Sequence, residues 1–511
     1  MPNNQFAYRN MAENLGGGRA GVLLLLFALA LYMFYSAGFP AFAVVCASPL
    51  LVLGVLITLE YRMFIFWLLV FINYFVQWKD FPSTGIPMSL YNEALELLLL
   101  ALAIIRVEEA RFERLCNVML IALCIWCTFC TLEVLNVSLD MGIQFGPWYT
   151  GARMMAFQLL YAFLVFSLYI TSPKTLMTYL VVWGCLAVFA AIWVWKQQNI
   201  ELTVAERSFL YGRGRSTHVI NGGATIRYFS IFSDAANFGV GMASTAAAFL
   251  IFAINTKVKK YKYFFLLVGL AAGWAMFPSG TRTATFCFFA GVGTYIFLSK
   301  SMKIAVPVSI LAFVVYLLLA FTEIGNGNAQ IRRMRSGFDK NDASMGARYN
   351  NQAVMKKYMK DIPWGIGLGM GNDNVPPNNK FYQMAIIPPD SEYVYVWLRT
   401  GYVGLTVFLV TTVIMFVGAC WVVLFRIRSK SLRGIGAGLC CAFASVQLGG
   451  YANQVLMQFP NCLVVYGGLA MVFGLPLYEK EWEEWEAAQL ARQEERRRLK
   501  LEKKLASRVK T

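Results

Sequence analysis

Two arginines lie where the chain passes from a polar segment into a long apolar one. Arg227 stands a few residues before an apolar run that begins near residue 235, and Arg282 follows the turn PSGT at the head of another run. Ionisable side chains at a membrane edge are costly and usually have a task. Because a guanidinium binds phosphate oxygens in pairs, two arginines that converge at one membrane surface would suit a diphosphate. The alternative is that both side chains extend to lipid headgroups.

Carboxylates stand at a second such boundary, in the segment PPDSEYVYVWLRTG (residues 388–401). Asp390 could act as a general base at the membrane surface, with Glu392 as the second candidate at the same helix start. The alternative for Asp390 is a helix N-cap after two prolines, and the two roles are compatible. Further carboxylates near predicted helix ends could pair with the arginines or cap helices: Glu93, Glu96, Glu133 and Asp234.

The composition indicates which kind of protein positions these groups. Of the 511 residues, 58% are hydrophobic and 14% are charged, and the apolar residues come in long blocks. A soluble globular protein has about 25% charged residues, so the chain is typical of a membrane protein with many spans. This composition excludes a disordered chain, a coiled-coil rod and a small secreted disulfide protein. The chain also contains neither a Walker lysine loop nor a nucleic-acid-binding module, so we expect no ATP hydrolysis and no nucleic-acid partner.

Neither a metal ion nor another cofactor is expected. All 11 cysteines fall inside apolar blocks. The run CIWCTFC at residues 124–130 is better explained by small hydrophobic residues inside a helix than by a metal site. His218 is the only histidine of the sequence, which excludes a histidine-based metal centre.

The apolar blocks predict an all-α, polytopic integral membrane protein with about 14 transmembrane helices and a long extracytoplasmic loop that carries short helices. The first block is interpreted as a retained span, because no secretory cleavage site precedes it. The predicted spans lie near residues 20–37, 40–59, 63–78, 91–105, 115–136, 154–171, 175–195, 235–254, 262–277, 283–299, 303–322, 392–424, 434–456 and 461–476.

The distribution of lysine and arginine among the short loops predicts the orientation, because these residues accumulate in cytoplasmic loops. With the N-terminus inside, every cytoplasmic connection carries at least one of them, and two long loops, 196–234 and 323–391, lie outside. The chain then divides into a cytoplasmic N-terminus (1–19), spans one to eleven (20–322), the long extracytoplasmic loop (323–391), spans twelve to fourteen (392–476) and a charged cytoplasmic helical tail (477–511).

Two segments outside the spans carry recognisable patterns. The long loop is predicted to be functional because of its length, and it contains a predicted amphipathic helix, Met345–Lys360. The glycine run GIGLGMG (365–371) does not open a helix after a strand, so we interpret it as a flexible loop and not as a dinucleotide fingerprint. In the tail, Trp482 and Trp485 suit the membrane interface, and the basic end could contact anionic lipid or a cytoplasmic partner.

Four segments follow one another around the long loop. They are RYFSIFSDAANFG (227–239), SGTRTA (279–284), RYNNQAVMKKYMKDIPWGIGLGMG (348–371) and DSEYVYVWLRTGYVGL (390–405). In order and spacing, over roughly residues 225–420, they resemble the O-antigen ligase and O-antigen polymerase (Wzy-like) family of bacterial integral membrane glycosyltransferases.

The resemblance implies a metal-independent, inverting transfer of a glycan from a polyprenyl diphosphate, such as undecaprenyl diphosphate, to a sugar hydroxyl. The acceptor would be lipid A core for a ligase of lipopolysaccharide, or another lipid-linked glycan for a polymerase. The site would face the periplasm or exterior from the bacterial inner membrane. By this resemblance, Arg227 and Arg282 would hold the diphosphate and Arg348 would be a further site residue. Arg215, an arginine of the first outer loop, is a further diphosphate-binding candidate, and the catalytic candidates are Asp390, Glu392 and Arg282.

One departure from the family pattern bears on the acceptor. Counted back from Thr400 and Gly401, the histidine of the ligases falls at Asp390. A carboxylate there could orient or deprotonate an acceptor hydroxyl, which favours a polymerase or a ligase with another acceptor. The alternative function is a transporter, such as a flippase of lipid-linked glycans. Transporters tend to contain internal repeats with matching broken helices, and this sequence contains no convincing repeat.

Overall fold

The described part of the chain is mostly α-helical. The computed structural model describes residues 60–81, 89–106, 111–220, 225–300, 302–324 and 343–509, together with a few isolated positions. Two compact units, Met1–Trp67 and Leu68–Thr511, make up the chain, and the candidate site lies in the second. The helices are α1 (Arg62–Phe75), α2 (Ser89–Ile105), α3 (Val118–Leu132), α4 (Phe145–Ala152), α5 (Gln158–Tyr169), α6 (Pro173–Asn199), α7 (Val204–Tyr211), α8 (Arg215–His218), α9 (Ala235–Asn255), α10 (Lys259–Ala275), α11 (Arg282–Leu298), α12 (Met302–Phe321), α13 (Ala343–Tyr358), α14 (Tyr382–Ile386), α15 (Glu392–Trp421), α16 (Lys430–Ala452), α17 (Asn461–Gly474) and α18 (Glu479–Val509).

Short elements complete the second unit. A π-helical turn, Arg153–Phe157, joins α4 to α5, and another, Val422–Arg426, extends α15. In the described residues the strands are β1 (Val219–Ile220) and β2 (Thr225–Ile226), which pair antiparallel. Three 3-10 turns lie at helix ends: Phe112–Leu115, Glu133–Leu135 and Leu475–Tyr478.

The predicted all-α polytopic fold is confirmed. A helix stands at every predicted span within the described residues, whereas the predicted spans 20–37 and 40–59 lie outside them. Among the described helices, 7 are long and apolar enough to cross a membrane, and α1 and α11 are shorter apolar helices. The seven are Val118–Leu135, Phe145–Tyr169, Pro173–Asn199, Ala235–Asn255, Glu392–Arg426, Lys430–Ala452 and Asn461–Glu502.

Helix α9 forms the centre of the bundle, where it packs against α10, α11 and α16. Its sequence, AANFGVGMASTAAAFLIFAIN, is rich in small residues, and nearly all of it is buried. Small residues allow helix backbones to approach closely in a membrane, where close packing drives helix association. A Cβ at Gly239 would overlap the side chain of Ser279, in the turn before α11. Close packing at α9 therefore fixes the start of α11, which carries Arg282.

Helix α15 is broken at Gly401, where the backbone has a φ of 66° and a ψ of −165°. At the break, carbonyls of α15 lose their helical hydrogen-bond partners, and amides of the glycine run donate to them instead. Ile366 N–H donates to Leu398 O (3.0 Å) and Gly367 N–H donates to Arg399 O (2.9 Å). A Cβ at Gly401 would overlap the carbonyl of Pro363, so only glycine fits at the break.

The glycine run is buried and hydrogen-bonded, so the prediction of a flexible loop was wrong. Gly365, Gly367 and Gly369 all have positive φ, between 70° and 96°. A Cβ at Gly369 would overlap the carbonyl of Pro147 in α4, which shows how closely the run approaches its neighbour. The glycines therefore allow the backbone to adopt one fixed conformation in the narrow space between α4 and α15.

The long connection before α15 has a hydrophobic core of its own. The helix predicted at Met345–Lys360 is observed as α13, and both Met355, within it, and Met359, directly after it, are buried. They pack with the glycine run and with the start of α15, in a cluster made of Leu139, Met355, Met359, Ile362, Ile366, Met370, Val375, Phe381, Met384 and Leu398.

The tail contacts α16 and the segment between α9 and α10. Helix α18 follows α17 after the turn Leu475–Tyr478, so the tail is helical as predicted. Trp482 is buried, and its Nε1–H donates to the Ser431 hydroxyl of α16 at 3.0 Å. Trp482 therefore packs inside the protein, and its predicted place at the membrane interface stays a prediction. Glu486 forms an ion pair with Lys257 (2.8 Å) and fastens the tail to the segment between α9 and α10.

Candidate functional site

The side chain of Arg227 reaches the turn that precedes Arg282. Its Nη2 donates to the Thr281 hydroxyl (3.0 Å) and its Nε donates to Ser279 O (3.2 Å). Its Nη1 donates to Thr217 O (2.9 Å), in the segment before β1. Arg282, half-buried, is the first residue of α11. The structure thus joins two of the predicted diphosphate-binding segments through a single guanidinium.

The start of α9, beside this turn, is capped by two side chains. Asp234 accepts hydrogen bonds from the N–H groups of Ala236 (2.7 Å) and Asn237 (3.0 Å). His218 Nε2 accepts from the Ala235 N–H at 3.1 Å, and its Nδ1 lies 3.0 Å from Gly214 O. This arrangement assigns the proton to Nδ1, which donates to the carbonyl. Burial, followed by the nearby charge of Arg227, lowers the pKa of His218 to about 4, so the imidazole is neutral.

A lysine lies on the other side of this helix start. Lys79 Nζ donates to Ser233 O (2.8 Å) and lies 3.9 Å from the centre of the Phe209 ring. Burial lowers the pKa of Lys79 to about 8, and the charge of Asp234 opposes that shift. Lys79 therefore adds positive charge near the start of α9. The sequence reasoning did not single it out, because it follows α1 in a segment with no family motif.

The segment 453–461, between α16 and α17, connects the two candidate motifs. Asn453 Nδ2 donates to the Thr283 hydroxyl (3.2 Å), one residue after Arg282. Gln454 Nε2 donates to Pro389 O (2.7 Å), one residue before Asp390. Neighbouring residues of one short connection therefore contact the starts of both α11 and α15. Neither amide was among the candidates from the sequence.

Two buried asparagines fasten the same segment to α9. Asn237 Nδ2 donates to Phe459 O (2.7 Å), and Asn461 Nδ2 donates to Asn237 Oδ1 (2.6 Å). Both side chains are almost completely buried. Because unpaired amides are expensive inside a membrane protein, this mutual pairing fixes the segment against α9. The starts of α9, α11 and α15 thus share one connecting segment.

Asp390 and Glu392 have different surroundings. Asp390 is exposed, and the N-cap of α15 is Ser391, so the interpretation of Asp390 as the N-cap was wrong. Glu392 is 3% exposed, and its Oε2 accepts the Leu456 N–H at 3.0 Å. Glu392 therefore holds α15 against the segment 453–461, whereas Asp390 faces the solvent side.

The two remaining arginine candidates lie further from this arrangement. Arg215 is exposed at the start of α8, two residues before Thr217, whose carbonyl binds Arg227. Arg348 is half-buried on α13, on the same helix face as Met355. No contact in the described residues joins Arg348 to Arg227 or Arg282. The structure therefore brings Arg215 near the Arg227 segment and leaves Arg348 with the core of the long connection.

A further arginine is buried at the break in α15. Arg399 is 9% exposed, and its guanidinium carbon lies 5.1 Å from the centre of the Tyr395 ring. Among the described residues, its Nε and Nη1 have no hydrogen-bond partner. It belongs to the segment WLRTG, which the sequence reasoning used only for spacing. A buried arginine in an apolar segment was the available signal.

A family model matches a region that contains most of these positions. Residues 266–409 match the family model of O-antigen ligase. The matched region runs from α10 to α15 and includes Arg282, Arg348, Asp390 and Glu392, whereas Arg227 precedes it. The resemblance inferred from the four motifs is thereby confirmed. No curated protein sequence matches the chain.

The O-antigen ligase match and the helical fold together support a coarse function. The chain is a multi-pass bacterial membrane protein, and its matched region supports a glycan-ligating role in polysaccharide biosynthesis. The family match also favours an enzyme of the glycosyltransferase type.

Proposed function

We propose that the protein transfers a glycan from a polyprenyl diphosphate carrier to a sugar hydroxyl, with inversion and without a metal ion. The observation that carries the proposal is the segment 453–461. It contacts Thr283, beside Arg282, and Pro389, beside Asp390. A phosphate-binding group and a carboxylate are thus held near one connecting segment, as a transfer between a diphosphate-linked sugar and a hydroxyl requires.

Arg282 is the proposed direct ligand of the diphosphate. It begins α11, and a helix N-terminus favours negative charge through its dipole and its backbone amides. As the bond to the sugar breaks, negative charge grows on the leaving diphosphate, and a fixed guanidinium stabilises that charge. Arg227 uses at least three of its five N–H donors on protein acceptors, so its proposed role is to hold the turn and add positive charge.

Asp390 is the proposed base, or the group that orients the acceptor hydroxyl. It is exposed and lies directly before the α15 N-cap, where a substrate can reach it. Glu392 is the second candidate, but it is buried and its carboxylate accepts the Leu456 amide, which favours a positioning role. We propose that the proton of the acceptor passes to Asp390 late, as the bond to the diphosphate stretches.

Arg215 and Arg348 are proposed as further contacts to the donor. Arg215, exposed beside the Arg227 segment, could bind an outer phosphate oxygen. Arg348, on α13, would act from the side of the long connection. The acceptor is proposed to be another lipid-linked glycan, as in a polymerase, or a ligase acceptor other than lipid A core. The site would face the periplasm or exterior of the inner membrane, and the basic end of α18 would bind membrane lipid or a cytoplasmic partner.

A reconstituted reaction tests this proposal. Purified protein in liposomes receives a glycan linked to polyprenyl diphosphate, and the products are separated by chain length while released polyprenyl diphosphate is measured. We expect longer glycans with the native chain and none with Asp390→Asn. Asp373→Asn, which changes an exposed carboxylate of the long connection, is the matched control and should remain active. Movement of the donor across the bilayer without a new glycosidic bond would instead indicate a transporter.

A further inference from the structure

A basic cavity lies at the end of α11 opposite to Arg282. Because α11 has 17 residues and rises 1.5 Å per residue, its two ends are about 24 Å apart. The cavity has a volume of about 210 Å³. Its charged lining residues are Lys300, Lys430 and Arg433, and no acidic residue lines it within the described part of the chain.

The inner wall of the cavity is built from three helices. Asn255, at the end of α9, donates from Nδ2 to Ile251 O (2.8 Å) and to the Tyr295 hydroxyl (2.9 Å). Tyr295 is 2% exposed, and because its oxygen accepts this bond, its hydroxyl hydrogen can be given to a ligand. Gly434 of α16 fits against Asn255, where a Cβ would overlap the asparagine side chain.

The basic residues surround this hydroxyl. Lys430 and Arg433 belong to the first turn of α16, and Arg433 lies close enough to Tyr295 to act on it electrostatically. Lys300 follows α11, donates to Leu424 O and lies 4.8 Å from the centre of the Phe425 ring. An ammonium has three donors, so Lys300 can hold the rim of the cavity and still bind an anion.

The surface beside the cavity is aromatic. Phe425 is 59% exposed and Trp421 is 57% exposed, and their ring centres are 4.3 Å apart. Exposed aromatic residues at the end of a membrane-spanning helix suit the interface between lipid tails and headgroups. The cavity is smaller than the 300–1,000 Å³ that is typical of sites for drug-sized molecules. It therefore suits a small anionic group that is attached to an apolar chain.

We propose that this cavity binds the phosphate of an anionic phospholipid, with the acyl chains against Phe425 and Trp421. Arg433 would take two phosphate oxygens, Lys300 and Lys430 would neutralise the charge, and the Tyr295 hydroxyl would donate from below. The inference does not depend on glycan transfer, because none of these residues belongs to the candidate site.

Binding of a fluorescent phosphatidylglycerol to the purified protein in detergent tests the proposal, with phosphatidylcholine of the same chains as the neutral lipid. We expect the native chain to prefer phosphatidylglycerol. Arg433→Ala and the pair Lys300→Ala with Lys430→Ala should each weaken that binding at least about tenfold. Arg428→Ala is the matched control, because Arg428 is an exposed neighbouring arginine that does not line the cavity.

The Tyr295 hydroxyl and competition by inorganic phosphate provide two further tests of the cavity. Tyr295→Phe retains the ring and should weaken phosphatidylglycerol binding by a few fold while the gel-filtration profile stays that of the native chain. Equal loss of binding in Arg428→Ala and Arg433→Ala would overturn the site. Equal affinity for phosphatidylglycerol and phosphatidylcholine would also overturn it. If inorganic phosphate competes as well as the lipid does, the cavity binds free phosphate and the lipid assignment is wrong.

Discussion

Glu392 offers a way to separate positioning from chemistry at the start of α15. The substitution Glu392→Ala removes the acceptor of the Leu456 amide. Leu456 is buried, so this amide would be left without its partner in a dry environment. An unsatisfied buried donor costs about 1–3 kcal/mol, so we expect a loss of stability of about that size. Glu392→Gln keeps an oxygen acceptor and should cost less, because a neutral hydrogen bond is about half as strong as a charged one.

The assay measures thermal unfolding in detergent and glycan transfer in liposomes for the same preparations. Glu392→Ala should lower the unfolding midpoint and transfer together, and Glu392→Gln should keep much of both. Asp390→Asn is the comparison from the exposed neighbouring position, and it should keep the native midpoint and lose transfer. If Glu392→Gln is inactive with a native midpoint while Asp390→Asn makes normal product, Glu392 is the base and the positioning argument is refuted.

Three further outcomes can be checked on the same preparations. Arg282→Ala should abolish transfer in a folded protein, because a charged hydrogen bond contributes about 1.5–3 kcal/mol, and more in a dry site. Full activity of both Arg282→Ala and Arg282→Lys would contradict diphosphate binding at this residue. Gly401→Ala should lower the unfolding midpoint, because φ is 66° and the Cβ would overlap Pro363 O, whereas Gly293→Ala, with open space, should not. The pKa of His218 in the folded protein, about 4, lies below its ordinary value of 6.5, so the contribution of His218 to stability is complete above pH 6.5 and is lost as the pH falls towards 4. His218→Gln should flatten that part of the unfolding profile, and an unchanged profile would contradict the buried neutral imidazole.

The sequence was sufficient for the helices and for the pairing of two motifs. Hydropathy determines where a membrane helix lies, so the described spans could be predicted from the apolar blocks alone. The convergence of Arg227 with the Arg282 turn was also predictable, since both stand at helix ends on one side. The sequence could not indicate that the Arg227 guanidinium bonds to Ser279 and Thr281, because those contacts depend on how α9 and α11 pack.

The glycine run and the segment 453–461 show why tertiary contacts escape such reasoning. In the sequence, the glycines at 365, 367 and 369 suggest a flexible loop. In the structure, they allow close backbone contact with α4 and α15. In the segment 453–461, the amides of Asn453 and Gln454 look like ordinary loop residues. Their importance arises only because they reach Thr283 and Pro389, which are far away in sequence. A single sequence contains no signal for such pairs.

The starts of three helices meet at the segment 453–461, and they are not equivalent as anion sites. At α9, the first amides are occupied by His218 and Asp234. At α15, two carboxylates stand at the helix start, which disfavours a phosphate there. At α11, the Thr281 hydroxyl donates to Ala235 O and does not cap the helix, and the first helical residue is an arginine. Of the three, the start of α11 is therefore the one where positive charge and helix dipole add, which favours it for the diphosphate in the proposed transfer, with the acidic start of α15 left for the acceptor.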